Sequence, residues 1–264
     1  MLSGKKKARR LGIYAGFTIA SLFASSTARA AVTTYPDSPL PNRTDYTVSA
    51  DGTSIRVENV QMTDTTGANA DKPVAGFAFD GSVRVTVTPN FSFSYALVHP
   101  TQYGYEVSRS GNSVSFTIPS NNKGKVVVEF DNDYNKSLFL FADPPVPAIP
   151  SGARVYNAGA HSGHIWVGNG ETVYLAPGAV VTGDINMKDI SNAKVIGRGW
   201  YLGSLWVERT TNCEINGIHG ARLGKWTVNL LDSTGFKINH MKLMYQGGET
   251  DGFSYNNTGN SSTR

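Results

Sequence analysis

Between Thr34 and Ala142, apolar and polar residues alternate in short runs, as in Ser54–Val60, Ser82–Val87, Ser113–Ile118 and Lys125–Phe130. A period of two places one side chain in the core and the next in solvent, the signature of half-buried strands. Asp51-Gly52, Asp80-Gly81, Ser110-Gly111-Asn112 and Asn121-Asn122-Lys123-Gly124 punctuate the runs. This rhythm predicts an antiparallel β-sandwich over residues 32–143, with Arg56, Arg84 and Lys125 on its solvent faces. Leu138–Asp143 breaks the alternation with a continuous apolar run that predicts a fully buried strand. It leads directly into Pro144-Pro145-Val146-Pro147-Ala148-Ile149-Pro150. Prolines fix φ and remove ladder donors, so residues 144–150 are expected to be a proline-rich linker.

Beyond the linker the pattern becomes a repeat. Asn192–Gly197, Asn212–Gly217 and Gly235–His240 lie over one another at offsets of 20 and 23 residues. A second row lays Leu205-Trp206-Val207 over Trp226-Thr227-Val228 at an offset of about 20, and Val173–Val181 supplies a first turn of the same kind. Short apolar strands at this period, with no helix-length segment between them, predict a solenoid. A right-handed parallel β-helix over residues 151–264 fits best, its apolar side chains inward and its polar ones outward along a groove suited to an extended polymer. Asparagine at the head of two repeats fits left-handed turns.

Composition changes this picture in three ways. Residues 1–30 carry a basic start (Lys5, Lys6, Lys7, Arg9, Arg10), an apolar run from Leu11 to Phe23, and Ala28-Arg29-Ala30, which together predict a secretory signal peptide. That leader holds six of the 24 Lys and Arg and none of the 20 Asp and Glu, so 18 basic residues face 20 acidic ones after its removal. The pI of about 9.1 therefore belongs largely to the leader and gives no ground for a nucleic-acid partner. Cys213 is the only cysteine, which excludes an internal disulfide and favours a buried structural thiol.

Candidate chemistry converges on Tyr245-Gln246-Gly247-Gly248-Glu249-Thr250-Asp251-Gly252-Phe253. On a strand, Glu249 and Asp251 point to one face, an arrangement that suits acid/base work on a sugar, a calcium site or a solvated edge. Tyr245, Gln246, Glu249 and Trp226 are the expected substrate contacts. Trp200, Tyr201 and Trp206 are further candidates for stacking on sugar rings, and Arg198 and Lys225 for meeting an anionic polymer. His161, His164, His219 and His240 read as structural or solvated, with His219 and His240 placed to face the groove.

Val173–Gly183, then Ile196-Gly197-Arg198-Gly199, the repeating coils and finally Thr250-Asp251-Gly252 resemble the polygalacturonase-like β-helix glycoside hydrolases. These comprise the polygalacturonases and a sister family of dextranases and isopullulanases, whose chains carry a β-sandwich before a pectin-lyase-like β-helix. The resemblance covers about residues 138–256. It implies inverting hydrolysis of an extracellular polysaccharide, an α-glucan of the dextran or pullulan kind or polygalacturonate. Asp251 matches the first of three catalytic aspartates. The other two are implied one coil later, beyond Arg264, so the chain is expected to be incomplete. Glu249 is the alternative second carboxyl. The resemblance implies no cofactor and no metal; a secreted monomer is expected, free of membrane once its signal is removed. A polysaccharide lyase and a non-catalytic carbohydrate-binding β-helix are the competing readings.

Overall fold

The computed structural model describes the backbone of residues 31–63, 69–120, 124–221, 226–245 and 251–263, and the side chains of all of these except residues 63, 69, 70, 226 and 251. The described residues are almost entirely β, with one 3-10 turn at Thr101–Tyr103.

Two sheets form the N-terminal part. Sheet I runs Val32–Thr34, Asn69–Phe79, Asp133–Asp143, Lys125–Phe130 and Ala96–His99, with Val57–Thr63 also paired to Asn69–Phe79. Sheet II runs Thr53–Ile55, Tyr46–Ala50, Val83–Pro89, Ser113–Ile118 and Ser108–Ser110. Their pairings are antiparallel except where Asp133–Asp143 lies parallel to Asn69–Phe79. The two sheets share one core, in which Val48, Val85 and Phe116 meet Phe77, Val128 and Leu140. The expected continuous strand Ser54–Val60 is broken at Arg56, where the chain crosses from sheet II to sheet I. The Arg56 guanidinium donates there to the carbonyls of Ser38 at 3.0 Å and Leu40 at 2.7 Å, tying the crossing to the preceding segment.

The apolar run at the end of sheet I has a simple cause. Leu138, Leu140 and Ala142 face the sandwich core. Phe139 and Phe141 face the other way, where with Val60, Met62 and Val74 they pack on Val180, Trp200, Leu202, Ala221 and Met244 of the solenoid. A strand covered on both faces reads as continuously apolar. The proline segment is also held: Arg198 Nη2 donates to Pro144 and Pro145 carbonyls at 3.2 and 3.3 Å, and the Tyr174 hydroxyl to that of Pro147 at 2.9 Å.

The C-terminal part is a parallel β-solenoid with three faces. Sheet S1 stacks Arg154–Tyr156, Thr172–Leu175, Lys194–Gly197, Glu214–Asn216, Lys237–Asn239 and Ser262–Thr263. Sheet S2 stacks Gly159–Ser162, Ala179–Thr182, Trp200–Tyr201, His219–Ala221 and Lys242–Met244. Sheet S3 stacks Ile165–Trp166, Ile185–Lys188, Leu205–Glu208, Trp226–Leu231 and Asp251–Asn256. The stack begins one rung before Val173–Val181, the expected first turn. That earlier rung is not legible in the sequence because its strands are short and only Ile165 among their residues is buried. Inside, Val173, Val195, Ile215 and Ile238 of S1 meet Val181 and Tyr201 of S2 and Ile185, Leu205 and Val228 of S3. Cys213 is buried among them, and burial raises its thiol pKa.

From the second rung on, the S3-to-S1 corner is the same on successive rungs; the first, between Trp166 and Thr172, is two residues shorter. Register pairs Lys188, Glu208, Leu231 and Asn256 in S3, and Lys194, Glu214, Lys237 and Ser262 in S1, so each of these later corners comprises five residues: 189–193, 209–213, 232–236 and 257–261. Its first position (Asp189, Arg209, Asp232, Asn257) and its fourth (Asn192, Asn212, Gly235, Asn260) all have φ between 47° and 67°. Asn, Asp and Gly enter this left-handed region most readily, which explains the recurring turn residues.

Candidate functional site

The S2-to-S3 corner behaves differently. Register aligns His161, Val181, Tyr201, Gly220 and Leu243 in S2, and Ile165, Ile185, Leu205, Val228 and Phe253 in S3. Three residues separate these marks on each of the first three rungs, seven on the fourth (221–227) and nine on the fifth (244–252). The tight corners depend on stacked glycines: a Cβ on Gly203 would lie 2.4 Å from the Gly183 carbonyl oxygen, and one on Gly183 2.4 Å from that of Gly163. The Asp184 carboxylate braces the third corner by accepting the Ser204 N–H at 2.8 Å.

This lengthening corrects one expected alignment. Leu205 pairs with Val228 and Trp206 with Asn229, so Leu205-Trp206-Val207 does not lie over Trp226-Thr227-Val228. The residues added to the fourth corner shift the repeat from an offset of about 20 to 23, and a pattern match at constant period slips by two positions.

Of the expected site residues, Asp251, Trp226 and Tyr245 have their backbone at the two enlarged corners. Asp251 opens the fifth S3 strand, in register with Trp226 at the start of the fourth. Tyr245 directly follows the fifth S2 strand and is exposed. Its ring lies over Gly252: a Cβ there would sit 3.0 Å from the Tyr245 hydroxyl, so the glycine gives the phenol its place one residue from Asp251. Gln246 and Glu249 lie outside the described residues, as does Lys225, so the expected pairing of Glu249 with Asp251 is placed only at its Asp251 backbone. Phe253 and Tyr255, on the same strand, are exposed with their rings stacked at 6.3 Å.

Other candidates fall elsewhere. Trp200 and Tyr201 are buried, Trp200 under sheet I with its indole N–H donating to Glu58 at 3.1 Å, and Tyr201 inside the solenoid. Neither offers a face to a sugar. Arg198 is 3% exposed, so the structure removes it as a contact for an anionic polymer. On S3, Trp166, Asn186, Trp206, Asn229 and Ser254 share one row in continuous register, open at Trp166 and closed at Asn229, which is buried. Trp166, a residue that the repeat analysis passed over, is 63% exposed, more than any other large hydrophobic side chain among the described residues.

A buried polar cluster also escaped the sequence. Asp143, at the end of the apolar strand and fully buried, points into the junction between sheet I and S2. Its carboxylate accepts from the Lys242 ammonium, from the Tyr35 hydroxyl at 2.8 Å and from His219 Nε2 at 3.1 Å, with Arg198 Nε 4.0 Å away. Trp200, His219 and Lys242 occupy equivalent positions on successive S2 strands. The His219 ring packs edge-on against Phe141 and Trp200, each at 5.0 Å. Burial, reinforced by the Arg198 charge, pushes the His219 pKa down to about 3. Two cations already share one carboxylate here, so a third positive charge is disfavoured and the imidazole stays neutral. Burial lowers Lys242 to about 7. A cluster this enclosed positions the two halves of the chain and has no access to substrate. No sequence motif marks it, since its members come from separate elements.

The fold is thus a parallel β-solenoid backed on one face by two sheets that share a core. No family model matches the chain, and no curated protein matches it. Among solved structures it is similar to Dex49A from Penicillium minioluteum, at 13% identity over 79% of this chain, with a TM-score of 0.42. The chain spans 60% of the length of that structure.

Proposed function

We propose that this chain belongs to a secreted polysaccharide hydrolase that cleaves glycosidic bonds with inversion, and that the enlarged S2-to-S3 corner is its active site. The observation that carries this reading is the corner itself: it grows from three residues to seven and then nine where Thr250-Asp251-Gly252 enters the stack. Loops on a rigid scaffold are where binding and catalytic groups concentrate. Inversion requires a carboxylate to activate water and a protonated carboxyl to protonate the leaving oxygen, about 6.5–9.5 Å apart. Asp251 is the carboxylate that activates water. The resemblance of the motifs implies an acid from an Asp-Asp pair on the following coil, and Glu249 is the alternative within this chain. Tyr245 and Trp226, whose backbone borders the enlarged corners, are substrate contacts in this reading, with Gln246 as a third. The leader-like residues 1–30 are consistent with export.

The test is hydrolysis of dextran, pullulan and polygalacturonate, followed by NMR of the first anomer released. Asp251→Asn is expected to lower kcat about 10²- to 10⁴-fold, the range that one general acid or base contributes, with the circular dichroism spectrum unchanged. Undiminished hydrolysis by this variant removes Asp251 from the mechanism, and a retained anomeric configuration removes inversion.

A further inference from the structure

We propose that the N-terminal sandwich carries a carbohydrate site of its own, a cavity beside the outer face of sheet II that seats a neutral sugar unit and lays the rest of its chain on a row of hydroxyls. The proposal rests on the polysaccharide-active reading for the class of ligand, and it concerns a surface remote from Asp251. Sheet I packs on sheet II through one face and on S2 through the other, so the outer face of sheet II points away from the solenoid.

The cavity, of about 520 Å³, lies where the 3-10 turn leads into the edge strand Ser108–Ser110, with Arg84, Tyr103, Tyr105, Glu106 and Thr117 in its wall. Its size falls within the roughly 300–1,000 Å³ that small-molecule sites occupy. The aromatic wall is braced from the core outward. Tyr105 packs edge-on against the buried Phe116 at 5.7 Å, and Tyr103 edge-on against Tyr105 at 5.9 Å. Between the two tyrosines the chain turns at Gly104, with φ of 62°, and Tyr103 is left exposed at the rim. A phenol ring held in this way suits the C–H face of a pyranose.

The polar wall decides which sugar. Arg84 Nη2 lies 3.5 Å from the Ser108 hydroxyl, and among the described residues neither Arg84 nor Glu106 has an ion-pair partner. The larger hollow of about 750 Å³ at the opposite edge of sheet II differs in this respect: its Arg43 is held by Asp45, and its Arg56 by Asp37 and Glu58. A group that meets both charges of the smaller cavity must accept from a guanidinium and donate to a carboxylate. A hydroxyl does both, whereas the ionised carboxylate of a uronate only accepts. Beside Arg84 and its cross-strand partner Thr117, the outer face continues as Ser54, Ser49, Thr86, Ser115 and Ser108, one residue from each strand of sheet II in a single register row. Their strand neighbours Val48, Val85, Val87, Val114 and Phe116 fill the core, so the row points outward. It presents an uncharged hydroxyl about every 4.8 Å, and Thr86 and Ser115 steady one another at 2.9 Å.

The experiment is hydrogen–deuterium exchange of the full chain carrying Asp251→Asn, resolved by peptide, with dextran, pullulan or polygalacturonate added. A neutral glucan is expected to slow exchange across residues 101–110, equally at low and raised ionic strength, and polygalacturonate to leave it unchanged. Titrating the effect gives an affinity. Tyr103→Ala and Glu106→Ala are each expected to weaken it about tenfold, which is what one aromatic contact or one hydrogen bond to a charged group contributes, and Tyr103→Phe should keep most of it. Both side chains are exposed, so the variants should fold as the parent does, which their melting temperatures check. Exchange at 101–110 that no glucan slows, that polygalacturonate slows equally, or that stays as sensitive to glucan in both alanine variants overturns the proposal. The two readings fail separately: a chain that hydrolyses nothing yet shows Tyr103-dependent slowing sinks only the hydrolase, whereas Asp251-dependent hydrolysis with residues 101–110 indifferent to glucan sinks only the sandwich site.

Discussion

At the scale of single residues, Asp143 carries the heaviest electrostatic responsibility. It is the carboxylate placed to compensate Lys242 and lies beside Arg198, both almost fully buried. Removing one partner of a buried pair leaves an uncompensated charge, which costs about 3–5 kcal/mol. Asp143→Ala is therefore expected to lower stability by about that amount in urea denaturation. The double variant Asp143→Leu/Lys242→Met should recover much of the loss, since replacing a buried pair with apolar residues is often neutral. A single variant as stable as the parent contradicts this account. None of this was legible in the sequence, where Asp143 closes an apolar strand and Arg198 sits in a glycine-flanked turn that reads as exposed. Local pattern reports which face a residue takes within its own element; it is silent on what another element lays over that face.

At the scale of elements, the repeat was legible and its exceptions were not. Asn192 and Asn212 head successive repeats because their corner demands a left-handed residue, with φ of 54° at both. A non-glycine residue without a local side-chain bond pays roughly 1–2 kcal/mol for that conformation. Asn212→Ala should lose about this much in thermal or urea unfolding, and Asn212→Gly far less; equal losses would show that the asparagine side chain, rather than its backbone, is what the corner needs. The misalignment of Trp226 with Leu205 has the opposite origin. Its cause lies in the four residues added to the fourth S2-to-S3 corner, and periodicity cannot distinguish an insertion from a poor repeat. The tryptophans divide for another reason: sheet I covers Trp200, while nothing among the described residues covers most of Trp166.

At the scale of the whole molecule, the third apolar cluster joins the halves. Phe141, Val60 and Met62 of sheet I pack on Trp200, Ala221 and Met244 of S2, and the neutral His219 lies within this joint. All four tryptophans (166, 200, 206 and 226) belong to the solenoid, so fluorescence follows that half while far-ultraviolet circular dichroism follows both. The His219 pKa falls from its ordinary 6.5 to about 3 on folding. Between those values the unfolded chain binds a proton that the folded chain refuses. Stability from this group is therefore complete above pH 6.5 and is lost as pH falls toward 3, by up to 1.4 kcal/mol per unit. The two signals are expected to report one transition whose midpoint drops together on acidification, and His219→Phe should flatten that dependence. Midpoints that separate would mean that the joint does not couple the halves.

The constant five-residue S3-to-S1 corner has a consequence for how such a protein can change. From the second rung on, each rung is brought back into phase at that corner, whatever the preceding S2-to-S3 connection has done, so a lengthened connection delays the next rung along the chain without rotating it in space. Segments of different length are in effect interchangeable cassettes on a scaffold that resets itself each turn. Transplanting residues 244–252 into the three-residue corner between Tyr201 and Leu205 would move Asp251 down the stack by whole rungs, repositioning its carboxylate in discrete steps.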